Sequence, residues 1–225
     1  MNPIIFLLCF MVGEKLDYVA RFSFITLGSM TLEIKDTLSY DSTTCYHFRS
    51  VINSSPGLSF LFSLNDTIDV YAETTGLLPL FYEEKLNESK YHHRSKLVFN
   101  HDSLYVVYDD SLIFEIAAQT RDLLSFWYYL RTIPLKIGDT IVVRIHKSME
   151  NHEILCPVVK KEKIKTPGGE FNTILVSPQT TGKGVFGSKG SMDIWYSDDE
   201  KRYPVQIRAK MKIGSILFKL KEVEN

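Results

Sequence analysis

"IWYSDDEKRYPVQI", residues 194 to 207, sets five consecutive charged residues, Asp198 to Arg202, between two apolar runs. Such a cluster is either an active site or the corner of a β-hairpin. A second stretch decides between them. Residues 71 to 80, "YAETTGLLPL", and residues 196 to 205, "YSDDEKRYPV", share one frame: Tyr, seven residues, Pro, aliphatic. Tyr71 corresponds to Tyr196 and Pro79 to Pro204. The first copy keeps the frame with Glu73 as its only charge, so the charges are not what the frame is for. Proline is tolerated near the start of a strand because its missing N–H need not enter a ladder. Both stretches therefore read as strand, polar turn, strand. Asp198 and Asp199 would serve acid–base chemistry only if burial shifted their ionisation, and a solvated corner does not bury them.

Working outward, the dominant period is two. Leu16, Tyr18, Ala20, Phe22 and Phe24 alternate with polar residues, as do Met30, Leu32 and Ile34. Ile141, Val143 and Ile145 repeat the pattern, and Val205, Ile207, Ala209, Met211 and Ile213 extend it. Alternation puts one face in a core and the other in water, as antiparallel sheets require. Turn signals punctuate the runs at Leu27-Gly28, Asn87 to Ser89, Asn100 to Ser103, Lys136 to Asp139 and Thr166 to Gly169. Together they predict about a dozen strands in a long antiparallel meander curled into a partly open barrel. A further echo links "LGSMTLEIKD", from Leu27, with "IGSILFKLKE", from Ile213. It places the first hairpin and the last strand at related positions in the sheet.

One segment breaks the period. In "DLLSFWYYLR", residues 122 to 131, Leu123, Phe126, Trp127 and Leu130 recur at helical spacing. Asp122 is suited to capping the first turn, and Pro134 lies just past the end. The spacing predicts one short helix over 122–131, covering a barrel mouth or an open sheet face with its aromatic side in the core.

Bulk properties narrow the function. The chain of 225 residues is 44% hydrophobic and 24% charged with a net charge of −1, so no global field recruits nucleic acid or an anionic membrane. Lys160, Lys161, Lys163 and Lys165 flank Glu162 and read as a solvated strand face. The three cysteines, Cys9, Cys45 and Cys156, form no zinc spacing. Cys45 and Cys156 are either a pair or two buried thiols. "PIIFLLCFMV" near the start is too short to span a bilayer, which needs about 20 residues. It matches the apolar core of a secretory signal whose start lies upstream, or it is a buried first strand; one β-barrel-like domain follows over 10–225.

Motifs for chemistry are scarce. "GKGVFGSKG" is glycine-rich, but Lys183 and Lys189 lack the strand–loop–helix setting of a phosphate loop. There is no nucleophile elbow and no H-E-x-x-H. Of the six histidines, adjacent His92 and His93 would face opposite sides of a strand, while His92 and His101 would approach across a hairpin. His47, His146 and His152 complete the set without a metal spacing. No catalytic, cofactor or metal residues are assigned.

Several stretches together resemble a bacterial family of exported proteins, the domain-of-unknown-function family 3108. They are "FMVGEKLDYVARFSFITLGSMTLEI", "YAETTGLLPLFYEE", "DLLSFWYYLRTIPLKIGD", "KIKTPGGEFNTILV" and "GSMDIWYSDDEKRYPVQIRAKMKIGSI". The resemblance implies an exported, periplasmic or envelope protein with a YmcC-like fold, loosely similar to the lipoprotein carriers LolA and LolB, and with residues 1–9 as a truncated signal-peptide remnant. It supplies no catalytic residues. The leading expectation is a non-enzymatic envelope protein that holds a lipid or other apolar ligand in the curled sheet. Phe22, Phe24, Phe126, Trp127 and Trp195 are the candidate lining, though a filled core would use the same residues. The alternatives are a structural or assembly factor in envelope or polysaccharide export, acting on a protein partner, and a metal-dependent hydrolase built on His92 or His101.

Overall fold

A computed structural model describes residues 10–58, 63–180, 191–211 and 213–225. The expected signal remnant at 1–9 and the glycine-rich stretch at 182–190 lie outside the described residues. The period-two runs form β1 (Lys15–Phe22), β2 (Ile25–Tyr40), β3 (Thr43–Ser54), β4 (Asn65–Glu73), β5 (Pro79–Glu88), β6 (Tyr91–Asn100), β7 (Tyr105–Tyr108) and β8 (Leu112–Glu115). After helix α1 (Leu123–Thr132) come β9 (Thr140–Lys147), β10 (Glu150–Thr166), β11 (Gly169–Val176), β12 (Gln179–Thr180), β13 (Met192–Ser197), β14 (Pro204–Lys210) and β15 (Ser215–Glu224). They make one 15-stranded antiparallel sheet in the order β12-β10-β11-β13-β14-β15-β1-β2-β3-β4-β5-β6-β7-β8, with β9 on β10.

The sheet curls until its ends approach, but it does not close. The backbone after β8 meets β9: Arg121 donates from its N–H to the Arg144 carbonyl at 2.9 Å, and the His146 N–H donates to the Arg121 carbonyl at 2.9 Å. The Asn151 amide adds a bond to the Glu115 carbonyl at 2.7 Å. These links satisfy backbone groups that an open edge would expose.

Both hairpin corners are where the shared frame puts them. Tyr196 pairs with Pro204 across β13 and β14, and Ala72, next to Tyr71, pairs with Pro79 across β4 and β5. Each pairing carries a register shift at the corner. Asp198, Asp199 and Glu200 are exposed. The Asp199 carboxylate accepts from the N–H groups of Lys201 and Arg202, both at 3.0 Å. It caps a turn, and Asp198 pairs with Lys161 at 2.6 Å.

The second echo has a topological meaning. β2 and β15 flank β1 on its two sides, so Ala20 lies opposite both Gly28 and Phe218. Leu27-Gly28 is, however, not a turn. The turn falls at Ser23 and Phe24, with Ser23 at φ 54°, and Gly28 sits inside β2. A Cβ there would overlap the Asn53 carbonyl of β3, so the glycine serves close strand approach.

The alternation also runs past the sheet in two places. β1 stops at Phe22 and β14 at Lys210. Phe24, Met211 and Ile213 therefore belong to turns and not to the core, with exposures of 88%, 52% and 83%.

The helix falls where the spacing predicts it along the chain, and of the two placements expected it takes the sheet face. Asp122 caps it, accepting from the Leu124 and Ser125 N–H groups at 2.7 and 3.1 Å. It lies within the curl rather than over a mouth. The Tyr128 ring stacks on Phe48 of β3, with centroids 3.9 Å apart. From the other half of the sheet, the Tyr196 hydroxyl of β13 donates to the Trp127 carbonyl at 3.1 Å. Leu124, Phe126, Tyr128 and Leu130 are buried, while Leu123 and Trp127 of the expected stripe are only half-buried. A helix wrapped by a sheet is apolar on more than one face, which a single-stripe pattern does not anticipate.

Cys45 on β3 and Cys156 on β10 are separate, buried, free thiols. Burial pushes the Cys156 thiol up to about 12, so it is inert packing.

Candidate functional site

Three segments that carry the family resemblance meet inside the molecule. Glu14 precedes β1, Arg131 ends α1, and Lys201 lies in the β13–β14 corner. The Arg131 guanidinium donates to both Glu14 carboxylate oxygens, at 2.6 and 2.9 Å, and to the Lys201 carbonyl at 3.0 Å from the same nitrogen as the longer bond. Both side chains are 1% exposed. The rings of Phe10, Tyr128 and Tyr203 surround the guanidinium. Tyr18 closes the group, donating to the Pro204 carbonyl at 2.8 Å. The Arg131 Nε–H also donates to the Lys201 carbonyl, at 3.2 Å, so both charges are buried against each other and against the corner backbone. The chemistry of the pair is that of a structural tie between helix, first strand and charged corner.

A place where something can bind lies at the rim of the curl. A cleft of about 610 Å³ opens between the inner face of β4 to β7 and the β9–β10 hairpin. Its floor is laid down by strand register. Tyr82, Leu97 and Tyr108 are opposed in one row, Ile68, Glu84 and Ser95 in the next, and Leu86 and His93 in a third. The facing wall is the start of α1, at Asp122 and Leu123, together with His146, Lys147, Ser148 and Met149. That hairpin is held in place by the Met149 N–H donating to the Tyr108 hydroxyl at 3.0 Å.

The cleft has an apolar floor and a few polar groups whose capacity is not used up. The Tyr82 hydroxyl donates to Glu84 at 2.8 Å. His146 is fixed through Nδ1 to the Asn151 side chain at 2.8 Å, while its buried Nε2 has no hydrogen-bond partner among the described residues. Oδ2 of Asp122 is in the same condition. Burial pushes the Asp122 carboxyl up and pulls the His146 imidazole and the Lys147 ammonium down from their ordinary values. Glu84 acts on Lys147 only through space. No carboxylate forms an ion pair with Lys147 among the described residues.

The residues singled out from sequence are not brought together. Phe22 packs against Gly214 at a turn, and Phe24 is exposed on the β1–β2 turn. Phe126 is fully buried in the core and Trp127 half-buried on α1. Trp195 lies on the opposite sheet face from Tyr196, its indole donating to Glu162 at 2.8 Å beneath the Arg208 guanidinium. None of the five lines the cleft.

His92 and His101 do not approach each other. β6 runs unbroken from Tyr91 to Asn100 and holds them at opposite ends. His92 bonds the Asn87 side chain at 3.2 Å, and His101 the Pro79 carbonyl at 2.8 Å. Among the described residues the one carboxylate cluster with metal-like spacing is Asp17, Glu222 and Glu224. The Lys15 ammonium already sits 3.1 Å from both Asp17 and Glu224 there.

The cleft was missed because its lining is scattered over five strands, the β9–β10 turn and a helix start, each side chain unremarkable in its own run. The one available signal was His146-Lys147 at the end of the alternating run Ile141 to Ile145, polar residues where the strand reaches a tip.

The sequence profile of the family described as "Protein of unknown function (DUF3108)" matches residues 17–221. No match was found among curated proteins. Among solved structures, a β-barrel-like protein of the family DUF1849 from Brucella abortus superposes with a TM-score of 0.61 at 10% identity, covering 95% of this chain and 98% of its own. A Bacteroides fragilis protein with a YmcC-like fold, provisionally described as exported, gives 0.44 at 12% identity over 96% and 97% of the chains. A Parabacteroides distasonis protein provisionally described as a lipoprotein gives 0.42 at 12% identity over 95% and 96%.

Proposed function

This chain belongs to the DUF3108 family, and on that premise we propose that it is an exported envelope protein that binds a ligand and does not catalyse a reaction on it. The ligand has an apolar body and an anionic group, as an acyl chain with its carboxylate or phosphate end does. The observation that carries this is Lys147, a half-buried ammonium without an ion-pair partner among the described residues, facing an apolar floor of Ile68, Leu86 and Leu97 with Leu123 beside it on the wall. An anionic group there would restore charge balance in a partly desolvated site, while the floor takes the apolar part, at about 25 cal/mol per Å² buried. The sequence supports export through the apolar run Pro3 to Val12, which has the make-up of a secretory signal core.

The test is uptake of a fluorescent fatty acid by delipidated protein. Lys147→Ala should weaken binding roughly tenfold, the worth of one charge-assisted contact, and Leu86→Trp should block it by filling the cleft. No uptake by the wild-type chain would end this reading. The assembly-factor reading would gain instead if a partner captured from membranes bound the Leu86→Trp variant as well as the wild type. Fractionation of cells, with the chain recovered in the cytosol alone, would remove the envelope assignment.

A further inference from the structure

The alternation that overruns the sheet leaves apolar side chains where no core can use them. Phe24 and Ile25 sit at the β1–β2 turn, and Met211 and Ile213 at the β14–β15 turn, with exposures of 88%, 43%, 52% and 83%. The two turns stand side by side. Phe22 is opposite Ile25 on one flank and Ile216 on the other, and a Cβ on Gly214 would strike the Phe22 ring at 2.7 Å. Gly214, at φ 74°, lets the second turn fold down against the first. The result is a double apolar prong at one end of the sheet.

The two turn segments carry charge of one sign. Residues 21–28 and 209–217 contain Arg21, Lys210 and Lys212 and no acidic residue, in a chain whose acids outnumber its bases, 27 to 26. Arg21 and Lys210 are exposed. Asp193, on the neighbouring β13, is buried and held by Arg208 at 2.8 Å, with Lys210 at 3.4 Å.

We propose that this prong docks the protein onto an anionic phospholipid surface. Phe24 and Ile213 enter the acyl–headgroup boundary, and Arg21 and Lys210 meet the headgroup phosphates behind them. Convex apolar points backed by cations suit a fluid, negatively charged interface. A protein partner would need a preformed socket for each prong. The inference uses residues remote from the Lys147 cleft and does not depend on it.

The experiment is flotation of the purified chain with vesicles of phosphatidylglycerol and phosphatidylcholine, against phosphatidylcholine alone. The wild type should float with the mixed vesicles, and less at high salt. Phe24→Ala with Ile213→Ala should reduce partitioning about tenfold or more, and Arg21→Glu should reduce it further. Phe24→Trp should shift its emission to the blue on vesicle addition. Melting curves matching the wild type would show that these exposed substitutions leave the fold intact. Equal flotation of the double variant, or no flotation of the wild type, overturns the proposal. So does a dimer in solution that the double variant converts to monomer without any emission shift on vesicles, which would make the prong a protein interface.

Discussion

Two regions of this molecule invert the usual distribution of polarity. At the Glu14–Arg131 tie, two full charges are shut inside the curled sheet with 1% exposure each. At the double turn, Phe24 and Ile213 stand almost wholly in water. The first inversion is satisfied internally, since the guanidinium meets both Glu14 carboxylate oxygens and the Lys201 carbonyl. The second has nothing among the described residues to satisfy it. The difference separates structure from function: a misplaced charge with complete partners holds the fold together, whereas misplaced apolar surface without partners points outside the molecule.

The sharpest way to break that contrast is to orphan one charge. Arg131→Met should destabilise the fold by roughly 3–5 kcal/mol in urea unfolding, because Glu14 is left buried and unpaired. Adding Glu14→Leu should recover most of the loss, since an apolar pair of similar volume is often neutral. Should the single variant melt like the wild type, the tie is not structural. A smaller effect is expected where the prong is shaped. Gly214→Ala forces a Cβ into the left-handed region, at about 1–2 kcal/mol, and presses on Phe22 as well. A chemical denaturation curve indistinguishable from wild type would mean that the turn is not held as described. The smallest effect belongs to the prong tips themselves. Phe24→Ala with Ile213→Ala should alter unfolding stability by no more than about 0.5 kcal/mol, and a larger loss would move these side chains into the core after all.

What could be read from sequence follows the range of the interaction. Strand alternation, the Asp122 cap and the Tyr–Pro corner are set by neighbours a few residues away, and all three appear in the structure. Where strands stop is less legible. The apolar rhythm at Phe24 and Ile213 continues beyond the last ladder bond, and only the neighbouring strands decide where the ladder ends. The Glu14–Arg131 contact spans 117 residues. A hint lay in parity, for Glu14 shares the inward face of Leu16 and Tyr18, yet nothing local names its partner. The cleft was hidden for the same reason, being assembled from rows across strands that only the curl brings opposite the β9–β10 hairpin. The family resemblance conveyed the fold and no site, because three of the five segments that carry it converge on the internal tie.

The pairing of β1 with β15 has a consequence for how the chain is made. The strand at residues 15 to 22 leaves the ribosome early, but one of its two ladder neighbours is residues 215 to 224. The seam at the centre of the sheet therefore stays open until residues 215 to 224 have been made, and closure of so long a loop is slow. The two halves of the sheet can be joined through β1 and β15 only after about two hundred intervening residues have been threaded out between them.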